Sequence, residues 1–185
     1  KILLGTVIDA RFLRVGKLMS VMRARYPQIE IETHHGLSGW VMNAVRKGDL
    51  DCGFFVGPVR HNDIAASLLT KMTYRIVAPC DWAHRIRTAG WAEIAAMPWV
   101  WAPEEGSYPQ IAMEMFREHG VEPNKVAVAD RESTIINLVT AGVGLALLRE
   151  DVALAAAASN ELVMWENGSR TSTLSFIHLR ARADE

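Results

Sequence analysis

The stretch Asp130–Arg149, DRESTIINLVTAGVGLALLR, decides how the chain is read. Ser133 and Thr134 open it as N-cap types, whose hydroxyls accept from the amides that a helix's first turn leaves unpaired. Ile135, Leu138 and Val139 recur at helical spacing, so the helix has one apolar face. Gly142 ends it, because glycine enters the left-handed C-cap conformation at little steric cost. Val143 to Leu148 is then a short, nearly unbroken apolar run, the pattern of a strand covered on both faces. A ligand would meet this unit at its polar head, where the helix N-terminus carries free amides and partial positive charge.

The same rhythm of helix end, glycine and buried strand recurs in VRKGDLDCGFFV from Val45. Ahead of it, Leu3 to Ile8 reads as a strand. A helix follows from Asp9, its N-cap, with Phe12, Val15, Leu18, Met19, Met22 and Tyr26 on one face and Pro27 as its stop. Ile29, Ile31 and Thr33 alternate with polar residues as a half-solvated strand. Ser38 caps a second helix that turns Trp40, Val41, Ala44 and Val45 inward and stops at Gly48. Leu50 to Val56 is a strand. Beyond Gly57-Pro58, strands are expected at Met72–Ala78, Trp99–Ala102 and Lys125–Ala129. Helices are expected at Trp91–Ala96, around Ile111, Met115 and Phe116, and at Val152–Ala158. Leu162–Trp165 and Leu174–Leu179 look extended, with Asn167-Gly168 as a turn between them. Strands alternating with helices predict parallel sheets, and two such sets predict two small α/β lobes.

Composition narrows the function. Half of the 185 residues are hydrophobic, yet no apolar run approaches the ~18 residues needed to cross a membrane. The opening KILLGTVIDAR is too short for a secretion signal, and its strand-like start suggests a fragment or a processed chain. A net charge of −1 gives no basic footprint for nucleic acid. Cys52 and Cys80 form no metal-type pair and read as buried free thiols in a reducing cytoplasm. Gly36-Leu37-Ser38-Gly39-Trp40 approaches a nucleophile elbow, but its second glycine comes one residue early and no partner acid and histidine are evident. Gly142-Val143-Gly144 begins like a dinucleotide fingerprint, but it runs from helix to strand, whereas phosphate binding needs strand then helix. The histidines show no metal-ligand spacing. The sequence therefore predicts no catalytic residue, no metal and no cofactor.

What remains is four loops, at residues 8–11, 36–39, 103–109 and 130–134, each following a strand and feeding a helix N-terminus. In open α/β sheets ligands bind outside such strand ends. Converging helix N-termini attract a carboxylate or similar anion, and Ser38, Ser107, Ser133 and Thr134 add hydroxyl donors. Each of these hydroxyls could equally serve only as a helix cap.

At this point the chain resembles the effector-binding (substrate-binding) domain of LysR-type transcriptional regulators. The matching pieces are Arg25-Tyr26-Pro27-Gln28-Ile29-Glu30-Ile31, Gly36-Leu37-Ser38, Arg46-Lys47-Gly48-Asp49-Leu50-Asp51-Cys52-Gly53, Val77-Ala78-Pro79-Cys80-Asp81, Phe116-Arg117-Glu118-His119-Gly120-Val121-Glu122-Pro123 and Leu138 to Leu148. Their order and spacing span nearly the whole chain. The resemblance implies the type 2 periplasmic-binding-protein-like fold: two α/β lobes with a cleft between them, lobe I being 1–72 and 173–185 and lobe II 73–172. It places effector contacts at Asp9, Ala10, Leu37, Ser38, Phe55 and Val56 on one wall. On the other it places Ser107, Tyr108, Ser133 and Thr134. It further implies a cytoplasmic homodimer or higher homo-oligomer in which the first helix and the strand Ile29–Thr33 pack against the partner's helix Ile111–Glu118. DNA would be bound only through an N-terminal winged helix-turn-helix domain lying outside this chain.

Three departures stand out. Asp9 occupies a position where the family often has a small hydroxyl residue facing the effector, which bears on the expectation of a small organic acid. Arg149 replaces the usual proline after the last strand, and Gly16 replaces a proline in the first helix. A periplasmic solute receptor and a small-molecule enzyme of the same fold are the alternatives, the first needing a secretion signal and the second catalytic acids.

Overall fold

The computed structural model describes residues 1–182, and the last three residues of the expected lobe I lie outside the described residues. The chain divides into two compact units, 1–70 with the segment from Thr173 onward, and 71–172. Two long strands, β4 (Ile64–Pro79) and β8 (Leu162–Leu179), each run from one unit into the other.

In the first unit, β1 (Ile2–Thr6) lies parallel to β2 (Ile31–His35) and to β3 (Cys52–Val56), with Leu4 opposite both Thr33 and Cys52. The C-terminal part of β8 pairs antiparallel to β3, from Cys52 opposite His178 to Val56 opposite Leu174, giving the order β2-β1-β3-β8. Helix α1 spans Val15–Arg25 and α2 spans Ser38–Lys47. Of the positions of α2 expected to point inward, Val41, Ala44 and Val45 do so, packing together with Met42 against Leu50, Ile64 and Ile177 in one apolar cluster, whereas Trp40 is 45% exposed. Burying such side chains contributes roughly 1.5–3 kcal/mol each for the larger ones.

In the second unit, β4 pairs antiparallel to β7 (Ala146–Arg149), with Tyr74 opposite Arg149 and Ile76 opposite Leu147. β5 (Pro98–Trp101) is parallel to β6 (Asn124–Val128), and Trp99 bridges to Leu145 just before β7. The short helices α3 (Ala83–Ile86) and α4 (Trp91–Ala96) precede β5. α5 (Ser107–Glu118), α6 (Glu132–Thr140) and α7 (Glu150–Ala158) complete the unit. Every residue of β7 is buried, as its unbroken apolar run requires. Gly142, at φ 83°, takes the left-handed conformation that ends α6.

Two local expectations give way. The first helix starts at Val15, not near Asp9, because Arg14 takes a left-handed φ of 55° and separates a turn over residues 10–14 from the helix. Asn167-Gly168 is no turn: β8 runs straight through it. Gly168 is buried, and a Cβ there would lie 2.7 Å from both Ile76 Cβ and the Trp165 ring, so glycine serves close approach here and not a positive φ.

Candidate functional site

The first unit gathers its predicted residues through sheet register. β1, β2 and β3 run the same way, so Thr6, His35 and Val56 end on one edge of the sheet, and the residues that follow those ends share it. Ser38 is the first residue of α2, with Leu37 as its N-cap. It is only 5% exposed, and α2 has no side-chain cap hydrogen bond, so the capping role expected of Ser38 is not what it performs. At the ends of β1 and β2, the Thr6 hydroxyl lies 3.3 Å from His35 Nδ1. Asp9 is exposed, and one carboxylate oxygen accepts from the amides of Arg11 (2.8 Å) and Phe12 (3.1 Å). Its charge is thus engaged by the turn it opens, an Asx-type use of an aspartate. Ala10 is exposed on that turn, Phe55 is half-buried against the core cluster, and Val56 is buried.

The second unit does the same with β5 and β6, whose parallel ends Trp101 and Val128 feed α5 and α6. Ser107 is the first residue of α5 after the N-cap Gly106, and α6 starts at Glu132 after the N-cap Arg131. Neither helix has a side-chain cap hydrogen bond, so Ser107, Ser133 and Thr134 do not cap. Ser133 and Thr134 are exposed, and Ser107 and Tyr108 are half-buried.

Tyr108 departs from its expected role. Its hydroxyl donates to Glu132 Oε1 at 2.7 Å, and its ring meets Tyr74 edge-on at 5.3 Å, so its proton is already committed within the unit. Burial, then the nearby Glu132 charge, pushes the Tyr108 phenol well above its ordinary range.

Behind it lies a group the sequence did not announce. Arg149, 3% exposed, forms a two-pronged contact with Asp151, Nε to Oδ1 at 3.0 Å and Nη2 to Oδ2 at 2.9 Å. Its Nη1 stands 3.6 Å from Glu132 Oε2. Burial alone would lower the Arg149 pKa, but the Asp151 hydrogen bonds and the Glu132 charge outweigh it and hold the guanidinium firmly charged. The carboxylates stand in the first turns of α6 and α7, where helix dipoles favour negative charge. Directly across the strand pair is Tyr74, fully buried, whose hydroxyl has no hydrogen-bond partner among the described residues. A single arginine after an apolar run is the only sequence signal for this network. Its partners lie 17 and 2 residues away, and periodicity does not connect them.

The LysR substrate binding domain family matches residues 2–184, and the chain belongs to that family. A relative is the uncharacterized HTH-type transcriptional regulator YfeR of Shigella flexneri, 26% identical over 126 residues, which are 67% of this chain and 41% of that protein. The chain spans about half the length of the curated relatives it matches. Among solved structures, the regulatory domain of CcmR from Synechocystis PCC6803, in complex with 2-PG, is similar at a TM-score of 0.79 and 12% identity, covering 97% of this chain and 87% of that one. The effector binding domain of QuiR in complex with shikimate has a TM-score of 0.78 at 13% identity, with the same coverage of 97% and 87%. At these identities the likeness shows the fold, the type 2 periplasmic-binding-protein-like α/β architecture that the resemblance implied. No helix among the described residues is long and apolar enough to cross a membrane.

Proposed function

We propose that the chain is the effector-sensing domain of a cytoplasmic, non-catalytic LysR-type transcriptional regulator. It binds a small organic acid and passes that event to an N-terminal winged helix-turn-helix domain that binds DNA. The observation that carries this is the state of the serines. Ser38, Ser107 and Ser133 each stand in the first turn of a helix that follows a parallel strand, and none is used as a cap. Hydroxyls and amides so placed are matched to a carboxylate. Asp9, Ala10, Leu37, Ser38, Phe55 and Val56 form the first unit's share of the site, and Ser107, Tyr108, Ser133 and Thr134 the second unit's share. Asp9, already held by two amides of its own turn, presents less negative charge to such a ligand than its identity suggests. Tyr108 contributes its ring and lone pairs, since its hydroxyl already donates to Glu132. That relatives are HTH-type regulators, and that the CcmR regulatory domain is in complex with 2-PG and the QuiR effector binding domain with shikimate, supports the effector-sensing reading.

The test is a thermal-shift screen over short-chain, hydroxy, keto and aromatic acids. A ligand that binds only the folded state raises the midpoint with concentration. At least one acid is expected to do so. A flat response to every acid, alongside a clear shift with amines or sugars, would remove the acid assignment.

A further inference from the structure

Glu132 stands where a carboxylate is hardest to reconcile with the proposed ligand. It is the first residue of α6, next to Ser133, and a negative charge there repels an incoming carboxylate. The first turn of a helix favours an acidic side chain, which accounts for the residue type but not for its contacts. Its Oε1 accepts from the Tyr108 hydroxyl at 2.7 Å, and Tyr108 is the second residue of α5, next to Ser107. One hydrogen bond between side chains 24 positions apart thus ties the start of α5 to the start of α6. Those are the two helix starts on which the second unit's serines stand.

Both ends of the tie are anchored. The Tyr108 ring meets the ring of Tyr74 edge-on at 5.3 Å, and Tyr74 is fully buried on β4. The second carboxylate oxygen of Glu132 stands 3.6 Å from Nη1 of Arg149, which is buried and held by Asp151 in the first turn of α7. Arg149 also offsets part of the charge that Glu132 would present to a ligand. A side chain held between a phenol and a guanidinium keeps one orientation, so the entropy of ordering it is spent before any ligand arrives.

We infer that Glu132 is a positioning residue of the effector site: it does not touch the effector, and by holding Tyr108 it sets the starts of α5 and α6 so that Ser107 and Ser133 address one carboxylate. This rests on the reading given under Proposed function and deepens it, since it makes the second unit's share one site and not two independent hydroxyls. Glutamine in place of Glu132 keeps the tie, because its amide oxygen accepts from a phenol as a carboxylate does. Alanine breaks it. A role confined to the helix dipole behaves differently, since both substitutions remove the charge and both would act alike.

The test titrates acetate, a minimal carboxylate, into the ¹⁵N-labelled chain well below its melting midpoint and follows the Ser107 and Ser133 amides. In the wild-type chain both amides are expected to move on one curve with one dissociation constant. Glu132→Ala should weaken binding about three- to tenfold, the range of one net hydrogen bond, and split the curves of the two amides. Glu132→Gln should retain the wild-type affinity and the shared curve. Tyr108→Phe removes the same hydrogen bond from its other end, so it should reproduce the alanine result and carries the test if Glu132→Ala does not fold. The double variant Glu132→Ala/Tyr108→Phe should bind no more weakly than the weaker single variant, because both act through one contact. Equal losses in the alanine and glutamine variants, or additive losses in the double variant, overturn the inference. If acetate moves both amides with wild-type affinity in every variant, the acid-binding reading stands and the positioning role falls; if it moves neither in the wild-type chain, both fall.

Discussion

Arg149 shows how one residue can reorganise a local interior. It ends the otherwise apolar strand β7 in a buried position opposite Tyr74, and it is tolerated because Asp151 and Glu132 neutralise it there. Replacing it with Met should cost about 1–3 kcal/mol in chemical denaturation. That is less than the ~3–5 kcal/mol typical of breaking a buried pair, because the abandoned Asp151 and Glu132 side chains are 50% and 22% exposed and can be rehydrated. A change under about 0.3 kcal/mol, the scale of an indifferent surface substitution, would show that the network is ornamental. Cys52 makes the opposite case, of a side chain kept inert. Burial, then the Asp51 charge, pushes its thiol up to about 11 from 9.0. The thiolate fraction at neutral pH falls by about two orders of magnitude, and it is the thiolate that reacts. Cys52 should therefore alkylate with iodoacetamide far more slowly than free cysteine, measured by mass spectrometry on the folded chain. A rate equal to that of the unfolded chain would contradict its burial.

At the scale of elements, helices and strands were legible where punctuation and period agreed. Trp91–Ala96 is read to the residue, because Gly90 opens it and Pro98 forbids its extension. α1 was misplaced because Asp9 does cap something, but what it caps is a separate turn closed by Arg14. β8 was split because Asn-Gly is a hairpin signal only when strands flank it as a pair, and here Gly168 is there to admit Ile76 and Trp165. The four loops of the candidate site were legible as strand-to-helix junctions. Tyr74 and Arg149 were not, because their significance lies in what buried polar atoms meet, which no local pattern encodes. The N-terminus of α7 carries a prediction of its own. Burial would raise the Asp151 pKa, but the Arg149 hydrogen bonds and charge prevail and hold it below 3.8. A lowered carboxylate pKa gives stability that is present above the unfolded value and lost as pH falls through the folded one. The stability difference between the wild-type chain and Asp151→Asn should thus be constant above about pH 5 and shrink below pH 4, as midpoints across that range would show. A difference independent of pH would exclude the ion pair as its source.

For the whole molecule, the unassigned apolar surface lies on α1. Only Val15 is buried there, while Leu18, Met19, Val21 and Met22 are half-exposed, and Tyr26 and Ile29 beyond the helix are exposed. Ile111, Met115 and Phe116 of α5, in contrast, are consumed by the core of their own unit, so a partner copy can meet only the outer face of that helix. Edge strand β6 offers Val126 and Val128, 51% and 64% exposed. A two-fold pairing uses each patch twice. The chain is expected to sediment as a dimer at tens of micromolar, and Met19→Asp to shift it to monomer with its circular dichroism unchanged. A wild-type chain that stays monomeric at high concentration would remove the proposal.

The central claim, that serine hydroxyls at strand-following helix starts hold the effector's carboxylate, is tested most directly by calorimetric titration. An acid found in the thermal screen is titrated into the wild-type chain and into the Ser38→Ala/Ser133→Ala double variant, well below either melting midpoint. Loss of hydrogen bonds to a charged group is worth about 1.5–3 kcal/mol each, so affinity should fall by at least tenfold. Because neither serine caps its helix, the variant should melt close to the wild-type temperature. An unchanged affinity in a folded double variant would contradict the account.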